Sequence, residues 1–152
     1  MPKLPEELVV EETSEPNSPV SYLDLTINTS TGELICSIFD KRDSFGFHIV
    51  IFPNLSGNIP SAPSYGTYIS QLIRYSRACH RYEDFASWHS MLAKRLFDQG
   101  FSVRRLIRTF YKFMGRYPDL FNKFDKSPEA MVCDSIPMAQ LYFTFPQIMN
   151  YT

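Results

Sequence analysis

Between Ser102 and Tyr117 the chain reads SVRRLIRTFYKFMGRY, with apolar positions recurring every three or four residues. Val103, Leu106, Ile107, Phe110, Met114 and Tyr117 therefore share one face of a predicted helix. Arg104, Arg108, Lys112 and Arg116 fall four apart and drift along another face, with Arg105 beside them. Ser102 suits the N-cap of this helix and Pro118 follows its close. The same period governs two earlier segments. Tyr65, Tyr68, Ile69, Leu72, Ile73, Ser76 and Cys79 or His80 fit a helix over 64–81. Asp84 can cap a second helix, with Phe85, Trp88, Met91, Leu92 and Leu96 facing inward and Gly100 at its end. A short helical turn over 119–124 completes the set.

Before residue 53 the period is two. Tyr22 to Asn28 alternates, with Leu23, Leu25 and Ile27 on one side, as a half-buried strand does. Thr29-Ser30-Thr31-Gly32 is turn chemistry, and Glu33 to Phe39 returns with Leu34, Cys36 and Ile38 in register, so a hairpin is predicted. Phe47 to Phe52 forms a third apolar run, and Pro53, Gly57, Pro60 and Pro63 hold the following stretch in loop conformations. The predicted fold class is α+β, a short antiparallel hairpin or meander followed by a three-helix basic bundle. Residues 1–20 read as an acidic extended lead-in with one short strand at Leu8 to Val10, and 21–126 as the folded domain. Residues 127–152, which include the apolar run AQLYFTFPQIM, have no clear period and receive no assignment.

Charge changes the picture more than composition does. The net charge of −1 hides an asymmetry. Met1 to Leu34 carries one Lys against six Glu and one Asp, giving −6, whereas Thr67 to Lys126 carries twelve Lys and Arg against five acids, giving +7. No carboxylate stands between Asp98 and Asp119. A one-sign stripe repels itself and suggests an anionic partner, a phosphate backbone first; a soluble face balanced elsewhere in the fold is the alternative. Arg74 and Arg77 share a helix face with Arg81, and Tyr75 and Tyr82 lie close enough to stack or pack. In Asp40-Lys41-Arg42-Asp43, acids can fix a loop while Lys41 and Arg42 contact phosphate.

Catalytic constellations are missing from the sequence. Cys36, Cys79 and Cys133 are widely spaced and form no C-x-x-C, which predicts reduced thiols in an intracellular protein, nucleus and cytoplasm not being distinguished. No apolar run approaches the roughly 20 residues of a membrane span, and the acidic N-terminus is unlike a secretory signal. His48, His80 and His89 lack a second ligand at metal spacing, and His89 beside Trp88 reads as a boundary residue. Tyr22-Leu23-Asp24-Leu25 invites comparison with the Y-x-D-D turn of polymerases, whose carboxylates hold two Mg²⁺ ions. Leu25 replaces the second carboxylate, and the alternation running through it predicts Asp24 on an exposed strand face.

The order of VSYLDLTI, TGELICSIFDKRDSFGFHIVIFPNL, NIPSAPSYGTYISQLIRYSRAC and LAKRLFDQGF resembles the C-terminal part of eukaryotic retroelement reverse transcriptases, of the non-LTR and Penelope-like group. The resemblance spans about Tyr22 to Phe124 and is most specific at Tyr65–Arg74 and Asp40–Asp43. It implies the end of the palm and the helical thumb, which grips primer–template behind the active site. Lys41, Arg42, Arg74, Arg77, Arg104, Arg105 and Arg108 would then be backbone contacts, positioning without reading sequence, with Lys112 continuing the stripe. The catalytic turn and fingers would lie upstream. No cofactor is therefore expected in this chain, since Mg²⁺ belongs to the palm. The expected partners are an RNA or DNA duplex backbone, bound non-specifically, and the upstream polymerase segment; no membrane and no small-molecule substrate is expected. A protein-interaction module, or an inert product of a decayed gene, is the alternative.

Overall fold

Residues 15, 16, 18–46, 52–136 and 139 are described by a computed structural model. Strands β1 (Val20–Tyr22), β2 (Leu25–Asn28) and β3 (Ile35–Ile38) form an antiparallel meander in the order β1-β2-β3. Helices α1 (Ser61–Ala78), α2 (Tyr82–Asp98) and α3 (Val103–Arg116) follow, and α4 (Pro128–Ser135) packs on α2 and α3. The α+β class and the order of sheet before helices are as the periods predict. The run 47–51, the segment around Leu8 to Val10, and all of AQLYFTFPQIM except Ala139 lie outside the described residues.

The first strand differs from expectation. Tyr22 to Asn28 is not continuous: Tyr22 pairs with Leu25, so Leu23 and Asp24 form a two-residue hairpin turn. Leu23 has φ +54 and is 80% exposed. Hairpins ordinarily place Gly or Asn at such a position, and none stands here to signal the turn. Asp24 consequently sits at a hairpin tip and not on a strand face. The second hairpin does carry its signals: Asn28 Oδ1 accepts from the Ser30 N–H at 2.9 Å, and Gly32 takes φ +80. Register then pairs Leu25 with Ile38 and Ile27 with Cys36. Ile35 and Ile38 are the buried residues of β3, while Leu34 is exposed.

The helices sit close to their predicted spans, with shifts that have local causes. α1 starts three residues earlier than expected, after Pro60, because Pro63 falls in the first turn, where its missing N–H costs nothing. α2 is preceded by Arg81, so Asp84 does not cap it but lies in the first turn, where a carboxylate favours the helix dipole. Its C-terminus is a Schellman closure: Gly100, φ +84, donates to the Phe97 carbonyl at 2.9 Å and Phe101 donates to Leu96 at 3.1 Å. Ser102 caps α3 by accepting from the Arg105 N–H at 3.5 Å. Ser127 caps α4 in the same way, with Pro128 at its first position.

The core lies between α1, α2, α3 and α4, with Ile38 and Phe52 contributed from the β side. Phe85 stands at its centre, 5.2 Å from Phe124 and 5.7 Å from Phe121. His89 is fully buried beside it, not at the boundary. Phe113, which the periodicity leaves off the apolar face, is buried, whereas Tyr117, which it places there, is 37% exposed.

Candidate nucleic-acid interface

The basic face of α3 is built by the burial of the opposite face. Val103, Leu106, Phe110, Phe113 and Met114 are all buried, and at about 100° per residue they occupy an arc of about 100°. Arg104, Arg105, Arg108 and Lys112 occupy a second arc of about the same width, centred roughly opposite, and all four are exposed. Hydrophobic burial thus forces the cations outward together. Ser102, Arg104, Arg105 and Arg108 line an open cleft of about 620 Å³ at the start of the helix.

Arg105 is held rather than waving. Its guanidinium carbon lies 4.0 Å over the centroid of the Tyr65 ring, and Nη1 donates to Ser61 Oγ at 3.2 Å. Tyr65 is itself fixed, its hydroxyl accepting from the Ser102 N–H at 3.0 Å and its ring 4.9 Å from that of Phe101. Tyr65 was legible as an inward residue, but its role as a platform was not. The pairing depends on the docking of α1 against α3, which no local spacing encodes.

The other predicted contacts do not join this patch. Tyr65 and Arg74 stand nine positions apart on α1, about a half-turn around the helix, so Arg74 points away from α3. There its Nη2 lies 3.4 Å from Asp24 Oδ2 at the β1–β2 tip, while its Nε is buried without a hydrogen bond. Arg77 is exposed farther along α1, about 18 Å of helix rise from Tyr65. Arg42 is engaged inside its own turn: Nε meets Asp40 Oδ1 and Nη2 meets Oδ2, both at 2.7 Å. Asp40 Oδ1 also accepts from the Arg42 N–H at 3.1 Å. The Arg42 guanidinium holds the Asp40 carboxyl below its ordinary range. Asp40 fixes the loop as expected, but it takes the Nε/Nη2 edge of the Arg42 guanidinium in doing so. Lys41 is exposed in the same 3₁₀ turn. Tyr75, considered for stacking, is buried and packs 6.0 Å from Trp88.

Two polar contacts that spacing does not reveal hold the scaffold. The hydroxyl of Tyr68 and Nε2 of His89 are 2.7 Å apart, both side chains fully buried. The hydroxyl donates, since the reverse tautomer would strand the hydroxyl proton as well as Nδ1, which has no partner. Burial pushes the imidazole down to about 3, so it is neutral. Lys123 Nζ donates to the carbonyls of Ser76 at 2.5 Å and Cys79 at 2.8 Å, closing the end of α1.

Among the described residues no group of three His, Cys, Asp or Glu is placed to hold a metal ion, and no helix is long and apolar enough to cross a membrane. All three cysteines are free thiols, and burial raises that of Cys79 to about 11. No family model, curated protein or solved structure matches the chain.

Proposed function

We propose that this protein grips nucleic-acid duplexes by their phosphate backbone, without reading sequence and without catalysis of its own. The observation that carries the reading is the set Arg104, Arg105, Arg108 and Lys112, exposed on one arc of a helix that contains no carboxylate. Phosphate neutralisation by such a face releases counterions, and this release supplies most of the binding free energy. The resemblance of Tyr22 to Phe124 to the palm end and thumb of retroelement reverse transcriptases supports the same reading, with an RNA–DNA duplex as ligand and the upstream polymerase segment as partner. Mg²⁺ would belong to that segment. Free thiols and a nucleic-acid ligand fit an intracellular location.

The test is binding of a fluorescent RNA–DNA duplex at a series of salt concentrations. Log affinity should fall linearly with log salt, with a slope of about −3 to −4 if each of the four cations neutralises one phosphate. Reversing the charge of Arg104, Arg105 and Arg108 together should abolish binding. A flat salt response, or no binding at low salt, defeats the reading.

One observation favours protein association as a second reading. Val20, Tyr22, Leu23 and Leu34 are large apolar side chains left exposed on the small sheet or in its turns. Association through that surface would survive the charge reversal on α3, which separates the two.

A further inference from the structure

We infer that the cleft at the start of α3 seats a terminal phosphomonoester, so that the protein holds nucleic-acid ends as well as flanks; this rests on the backbone-gripping reading. Three guanidinium groups fall within five consecutive residues, Arg104 to Arg108, and with Ser102 they line one open space. A phosphodiester within a strand carries one negative charge. A phosphomonoester carries close to two near neutral pH and presents three terminal oxygens. Each guanidinium can fork onto two oxygens. With its third oxygen and its second charge, a chain end offers such a cluster more than an internal phosphate does. The positive end of the α3 dipole lies at the same place and adds to the preference for the doubly charged group.

The site is also partly ordered before any ligand arrives. The Arg105 plane rests on the Tyr65 ring and is tethered to Ser61, so little side-chain freedom remains to be lost on binding. The cleft is open to solvent, so the nucleotide that bears the phosphate meets no wall there. Lys112, one turn beyond Arg108, continues the basic track for the adjoining backbone. The 5′ and 3′ phosphates share this chemistry, and the assay distinguishes them.

The test uses the full chain and three blunt RNA–DNA duplexes of one sequence: all ends hydroxyl, 5′-phosphorylated, or 3′-phosphorylated. At one fixed salt concentration, at least one phosphorylated duplex should bind about tenfold tighter than the hydroxyl form. Arg108→Gln, a change at an exposed side chain, should weaken all three duplexes alike through loss of one flank cation and, beyond that, shrink the advantage of the phosphorylated end to about threefold or less. Arg105→Gln should do the same, with its melting curve recorded to separate loss of the seat from loss of fold. Which end gains identifies the polarity; gain at both means a seat indifferent to it. Equal affinity for all three duplexes overturns the seat and leaves the flank grip standing, as does an advantage that survives both substitutions. No binding of any duplex at low salt overturns both readings.

Discussion

Gly100 and His89 show how single residues decide local outcomes here. At Gly100 the backbone is left-handed, and an added Cβ would lie 3.3 Å from Ser56 Oγ and 3.7 Å from Leu55 Cβ. Gly100→Ala should therefore lower stability by about 1–2 kcal/mol, measured by urea melts. His89 carries a pH dependence whose sign is fixed by its burial. Its folded value of about 3 lies below the unfolded 6.5, so between these the unfolded chain binds the extra proton. Its contribution is thus complete above pH 6.5 and is lost as pH falls, at about 1.4 kcal/mol per unit within that window. Asp40 acts in the same direction but only at lower pH, because its carboxyl is held below the ordinary value of 3.8. Between about pH 5 and 6.5 a His89→Leu variant should melt with a distinctly flatter pH profile than the native chain. A slope unchanged by that substitution would mean His89 is not the titrating group. The sequence placed His89 beside Trp88 on the α2 face but not in the core, since its hydrogen-bond partner, Tyr68, stands 21 positions away.

Among the elements, the long helices were legible because burial imposes a period of 3.6 on fourteen or more residues. The β1–β2 hairpin was not. Leu23 continues the alternation of Leu25 and Ile27 while sitting in a turn that lacks turn chemistry, so pattern and geometry part company at one residue. The start of α4 carried a readable signal, Ser127 followed by Pro128 and Glu129, beneath a composition that obscured it. The arginine face of α3 was legible in full, whereas the diversion of Arg42 and Arg74 to Asp40 and Asp24 depends on turns and docking. Lys123 is the inter-element contact most open to test. Lys123→Met keeps the aliphatic stem but removes both hydrogen bonds to the end of α1. It should cost about 1 kcal/mol and selectively speed hydrogen exchange in the last turn of α1.

For the molecule as a whole, the near-zero net charge is a sum over regions of opposite sign. Bulk properties such as solubility near pI 6.3 will therefore say little about the cationic face of α3. The clustering that matters is on α3, and α3 is not a loose arm. At its start it is fastened to α1 through Ser102, Tyr65 and Arg105; beyond its end, Lys123 reaches back to the other extremity of α1. A rod bolted at both extremities has no hinge of its own. Were a stiff double helix to dock there, it would meet a rigid face, with a small heat-capacity change and no turn of α3 left to freeze on contact.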